Sequence, residues 1–131
     1  MRREYIPISV ERRVREAAQF RCGYCLSPQH LVMARLEIEH LIAVSRGGSS
    51  DESNLWPSCP LCNKAKSDRP FATAPATGQE VPIFNPRTQL WHEHFGWSSD
   101  GLRILGKSPI GRATVALLNL DSDPDAILVR S

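Results

Sequence analysis

No stretch of this sequence stays apolar long enough to cross a bilayer. The start, MRREYIPISVERRVREAA, is basic, yet no apolar segment and small-residue cleavage site follow it, so no secretory leader is expected. These two absences point to a cytoplasmic protein without a membrane partner. Internal repeats and low-complexity tracts are also missing. Neither sign of charge dominates: the net charge is +2 over 131 residues. The balance is uneven along the chain. Met1 to Pro70 carry 11 Lys/Arg against 8 Asp/Glu, a net of +3, and Phe71 to Ser131 carry 5 against 6, a net of −1. The N-terminal half is therefore the better candidate to meet a polyanion. Hydrophobic content of 41% suits one compact domain, or a small domain with an extension.

Cysteine is scarce, but its four copies come in pairs. Cys22 and Cys25 form CGYC, and Cys59 and Cys62 form CPLC. Disulfides are disfavoured in a cytoplasmic chain. Two thiolates three positions apart can face one ion from a tight turn, and two such knuckles complete a tetrahedral zinc set. That set leaves no open position for chemistry, so the zinc is expected to be structural. Two redox or free pairs are the alternative. The gap between knuckles is 33 residues, against ~15–20 in zinc ribbons. A shared zinc would close residues 26 to 58 into a loop that contains His40.

The pattern along the chain predicts an α+β protein. Ser9 reads as the N-cap of a helix over Val10 to Gln19, with Val10, Val14, Ala17 and Ala18 on one face. Residues 34 to 44, ARLEIEHLIAV, read as a half-buried strand that buries Leu36 and Ile38 and contains Glu39 and His40. SRGGSSDESN is a loop by composition. LWPS (55 to 58) can form only a short strand, because Pro57 lacks an N–H for the ladder. Pro60 sits at a first helical position, and the helix carries Cys62, Asn63, Lys64 and Lys66. The order is strand, loop, strand, helix, with both knuckles near the base of the unit. FATAPATGQEVP (71 to 82) reads as a linker, so residues 1–74 are expected to form a core and 75–131 an extension. WHEHFGW reads as a strand with Trp91, Phe95 and Trp97 on its core face and His92 and His94 on its polar face. With LRIL (102 to 105) it makes a hairpin. Ser108-Pro109 caps a helix over Ile110 to Leu118, and Asp123-Pro124 starts a turn.

Taken together, Glu39-His40, Gly47-Gly48, Asn54-Leu55 and Cys59-x-x-Cys62-Asn63-x-x-Lys66 resemble the HNH endonuclease family, which has a ββα-metal fold. The resemblance covers roughly residues 20 to 68. The tail FNPRTQLWHEHFGW…GRATV also resembles the extension of some bacterial HNH proteins. The resemblance implies divalent-metal-dependent cleavage or nicking of DNA, leaving a 5′-phosphate and a 3′-hydroxyl. It makes His40 the general base, Glu39 and Asn63 the ligands of a catalytic Mg²⁺ or Mn²⁺, and Asn54 the residue that holds the loop and orients His40.

Elementary chemistry agrees with these roles. Imidazole ordinarily titrates near 6.5 and can take a proton from water near neutrality. A carboxylate and an amide oxygen are hard ligands of the kind Mg²⁺ accepts. Lys64, Lys66 and Arg46 are candidates for phosphate contacts. Two departures matter. Glu39 stands where many members have Asp, and Asn63 replaces a histidine, which shifts preference from Ni²⁺ and Zn²⁺ toward Mg²⁺ and Mn²⁺. Adjacent strand residues point to opposite faces. Glu39 and His40 therefore share a site only if the strand breaks between them, or if ion and water occupy different sides of the phosphate. The rival reading is a zinc-stabilised DNA-binding module without catalysis. It would need the cysteines and the basic face but not Glu39, His40 and Asn63. Cleavage of structured RNA is a third reading.

Overall fold

A computed structural model describes residues 5–31 and 35–120. The turn expected at Asp123-Pro124 lies outside them. The chain divides into two compact units, Met1–Asp68 and Arg69–Ser131. The described residues are mixed helix and strand, the α+β class the pattern predicts. No helix among them is long and apolar enough to cross a membrane.

In the first unit, helix α1 spans Ile8–Ala17. It begins before the predicted cap: Pro7 occupies the N-cap, and its carbonyl accepts from Glu11 N at 3.0 Å. The buried face also differs from the predicted one. Val14 is buried and Ala17 exposed, while Arg15 is buried because Glu11 neutralises it one turn back and Leu36 O accepts from its Nη1 at 2.8 Å. That bond ties α1 to the strand that follows.

Strand β1 is Glu37–His40 and β2 is Leu55–Ser58. They pair antiparallel, from Glu37 opposite Ser58 to His40 opposite Leu55. The strand is shorter than predicted, since the chain after His40 turns away into a 3₁₀ turn at Val44–Arg46. Pro57 fits because its carbonyl points out of the ladder to Gly23 N, at 3.0 Å, and in antiparallel pairing its nitrogen points out too. Helix α2, Pro60–Lys66, follows with Pro60 in its first turn, Cys59 as N-cap and Cys59 Sγ accepting from Cys62 N at 3.5 Å. This is a small ββα core.

The Gly47-Gly48 pair is required by the turn between β1 and β2. Gly47 caps the 3₁₀ turn at φ 87°, where a side chain is strained. A Cβ on Gly48 would lie 1.7 Å from Ile42 O.

Among the described residues, the second unit holds two hairpins and two helices. Residues 71 to 82 are not a linker: β3 (Phe71–Thr73) pairs with β4 (Glu80–Pro82), and Ala72 and Ala74 are buried. The boundary expected at 74/75 thus falls inside a hairpin. The WHEHFGW strand is also corrected. Trp91–His94 form a helical turn, α3, and only Phe95–Trp97 are strand, β5, paired with β6 at Ile104–Gly106. His92 and His94 are therefore not a strand's polar face. His94 Nδ1 lies 2.7 Å from Ser108 Oγ. Phe95 is core, edge-on to Phe84 at 4.9 Å, whereas Trp97 is 43% exposed. Helix α4, Pro109–Leu118, starts as predicted on Ser108, whose Oγ accepts from Gly111 N at 2.9 Å.

Inside this unit Phe84 N donates to the buried Thr114 Oγ1 at 3.0 Å. Thr114→Val keeps the shape but leaves that N–H unpaired. It should lower unfolding free energy by ~1–3 kcal/mol, read as a shifted urea midpoint with an unchanged slope.

Candidate metal centre and active site

The knuckles meet. Cys22, Cys25, Cys59 and Cys62 are all buried, and their sulfurs lie within 4.8 Å of one another. Cys25 Sγ and Cys59 Sγ are 3.8 Å apart, which matches the ~3.8 Å edge of a tetrahedron with metal–sulfur bonds of ~2.3 Å. None is in a disulfide. The thiols share protons unequally. Burial pushes Cys22 well up, contact with Cys22 raises Cys62, and hydrogen bonding from Cys22 lowers Cys25 and Cys59. Four buried sulfurs crowded together in this way suit a cation. The first knuckle is shaped by Leu26, at φ 61°, whose N donates to Cys22 O at 3.0 Å. The second is shaped by the α2 cap. The cluster could hold a metal ion and has the dimensions of a zinc centre.

The strand carries the rest. Residues i and i+2 of a strand share a face, and Glu37 and Glu39 both turn toward α2. Asn63 and Lys66, one helical turn apart, meet them. Asn63 Nδ2 donates to Glu37 Oε1 at 2.9 Å, and Lys66 Nζ lies 3.5 Å from Glu39 Oε2. Glu37, an ordinary strand charge by sequence, is thus the partner of Asn63. A carboxylate accepts only from the NH₂ end of an amide, so Glu37 turns Asn63 Oδ1 away from itself.

Glu39 is 4% exposed, more buried than its neighbour Ile38. Tyr24 Oη donates a short hydrogen bond to its Oε1. Its Oε2 is buried and accepts no hydrogen bond. Burial pushes the Glu39 carboxyl above its ordinary range, against the opposing pull of Lys66 and the Tyr24 hydroxyl. Lys66 is not a surface phosphate contact, as the sequence suggested. It is 4% exposed, and its ammonium also donates to Leu41 O at 3.2 Å.

His40 lies on the other side of the strand, half-buried, with Nε2 2.9 Å from Ser50 Oγ. The pairing with β2 runs unbroken through Glu39 and His40, so the strand does not kink to bring them together. Asn54 staples the loop: Oδ1 accepts from Ile42 N at 2.8 Å, and Nδ2 donates to Ile42 O at 3.0 Å and to Ser49 O at 2.7 Å. The last bond fixes the residue next to Ser50. Lys64 is exposed, and Arg46 is half-exposed with Nε donating to Asp68 O at 2.9 Å. Tyr24, Glu37 and Ser50 are contacts that sequence reasoning missed. Only Tyr24 carried a signal, as an aromatic inside a knuckle.

Residues 22–69 match the HNH endonuclease family. A curated relative is the CRISPR-associated endonuclease Cas9 of Corynebacterium diphtheriae, 26% identical over 107 residues, which cover 78% of this chain and 10% of that protein. The chain thus spans about a tenth of the length of the relative it matches. No solved structure matches. The chain carries an HNH endonuclease domain at residues 22–69.

Metal analysis of protein purified without added zinc should find about one zinc per chain. Cys59→Ser should unfold the first unit, because a structural zinc supplies ~10 kcal/mol or more of folding free energy. A zinc-free wild type that stays folded would refute this.

Proposed function

We propose that the protein is an endonuclease that hydrolyses or nicks phosphodiester bonds in DNA with Mg²⁺ or Mn²⁺, on a core held by zinc at the four cysteines, in the cytoplasm. The observation that carries the reading is the buried Oε2 of Glu39, which faces Lys66 but accepts no hydrogen bond, on the strand that ends in His40. Buried acceptors rarely go without a hydrogen bond. The matched family and the Cas9 relative support it by class.

The residues fit a hard cation. Glu39 and Asn63 carry oxygen donors of the kind Mg²⁺ and Mn²⁺ take. When bound there, the ion supplies Lewis-acid stabilisation of the charge on the phosphoryl oxygens. On the other side of the strand, when His40 carries its proton on Nε2 and donates it to Ser50 Oγ, Nδ1 is left to accept a proton from water. Asn54 holds the loop that presents Ser50. Lys64 and Arg46 hold phosphates at the rim, where contacts position but do not select sequence.

His40→Ala should lower cleavage in a plasmid-relaxation assay by roughly 10²–10⁴-fold while DNA affinity stays near wild type. If binding persists and neither protein cuts with Mg²⁺ or Mn²⁺, the DNA-binding module is the correct reading.

Metal preference should follow Asn63. Mg²⁺ and Mn²⁺ should support activity better than Ni²⁺ or Zn²⁺, and Asn63→His should raise apparent affinity for Ni²⁺ and Zn²⁺. It need not raise turnover, since equal gains in ground and transition state leave kcat unchanged. Rates titrated against each metal, with the structural zinc verified, decide it. An unchanged metal profile removes Asn63 from the ligand set.

A further inference from the structure

We propose that Tyr24 is a positioning residue for divalent-metal binding. Its hydroxyl occupies one oxygen of Glu39, so that the carboxylate offers the ion only Oε2, and its place in the first knuckle makes that geometry depend on the cysteine cluster. The inference rests on the reading of Glu39 as a metal ligand.

Tyr24 sits between Cys22 and Cys25 and is completely buried. The knuckle fixes its backbone. Gly23 N donates to Pro57 O, and Leu26 N to Cys22 O, both at 3.0 Å. A C-x-x-C turn does not itself need a buried aromatic: in the second knuckle the same spacer position is Leu61, which is 49% exposed. A buried tyrosine hydroxyl needs a partner, and here the partner is Glu39 Oε1.

The carboxylate then has one oxygen committed and one left over. Oε2 accepts no hydrogen bond and faces the Lys66 ammonium at 3.5 Å. Lys66 belongs to the helix that begins at the second knuckle. Each knuckle therefore sends one side chain to Glu39: Tyr24 holds its orientation, and Lys66 offsets its charge. A carboxylate gripped in this way would offer an ion a single oxygen, with Asn63 the other protein ligand of the proposed site.

The test is Tyr24→Phe in the full chain, which keeps the buried ring and removes only the hydroxyl. Zinc content and far-UV circular dichroism should match wild type. Mn²⁺ affinity, followed by the loss of the free-ion EPR signal, should fall roughly 10–100-fold, the usual cost of removing a partner of a metal ligand. The Mg²⁺ concentration for half-maximal cleavage should rise in step, with kcat at saturating metal close to wild type. Wild-type Mn²⁺ affinity in a zinc-loaded variant would overturn the proposal. A second measurement needs no variant: the hydrogen-bonded Tyr24 hydroxyl proton should give an NMR resonance that moves as Mg²⁺ is added. A resonance indifferent to saturating Mg²⁺ would equally overturn it. If wild type binds no Mn²⁺ and does not cleave, the endonuclease reading falls along with this one. If wild type does both and Tyr24→Phe is unaltered, this inference alone fails.

Discussion

Everything in the first unit hangs on the meeting of four sulfurs. Among the described residues its buried apolar side chains are few: beyond the cysteines they include Val14, Tyr24, Leu36 and Leu55. A core this small supplies little stability without a staple. The cluster supplies the staple in a useful place. It joins the turn after α1 to the start of α2, and so closes the segment that contains β1, the glycine turn and β2. The catalytic groups proposed above lie on that closed segment or on α2. A metal bound there would limit how far strand and helix can move apart.

The second constraint is electrostatic. Glu39 is a carboxylate placed where an apolar residue would cost less. Taking it out of water raises its pKa, and Lys66 and Tyr24 act against that rise. Buried ion pairs seldom add stability in net, yet removing one partner costs several kcal/mol because the other charge is stranded. On the proposed reading, such a group is a site prepared for a cation rather than a contribution to folding. At the exposed end of the strand, Glu37 takes the amide donor of Asn63.

Much of this was legible in the sequence, for physical reasons. LWPS reads as a strand and is one, because turn residues and a knuckle bracket it. CPLC and Ser108-Pro109 mark their helices through cap chemistry alone. The misreadings also have causes. Alternation in LEIEH implies one wet face and one dry face, but α2 covers the face that carries the glutamates, so Glu39 is drier than Ile38. Lysine near a helix end is ordinarily solvated, and nothing in the sequence shows that Glu39 would draw Lys66 inward. FATAPATGQEVP looks like a linker because proline and glycine dominate it. Two-stranded sheets have only edges, however, where proline is tolerated, and the apolar residues between form a hairpin. In WHEHFGW seven residues are too few for periodicity to separate a helical turn followed by a strand from one continuous strand.

The unbroken strand through Glu39 and His40 bears on how the two could act together. Because neighbouring residues face opposite ways, the carboxylate and the imidazole cannot both grip one water from the same side. An in-line displacement at phosphorus does not ask them to. The attacking and leaving oxygens lie on opposite sides of the phosphorus, so a base on one side and an ion on the other is the arrangement such a reaction uses. On the proposed reading, a strand ending in Glu39-His40 would place those two functions across its own thickness with no kink. The glycine turn then needs only to hold His40 at a fixed angle, which the Ser50 and Asn54 contacts do. On the reading proposed here, the strand tip works as a wedge at the scissile phosphate, and the knuckles hold the wedge still.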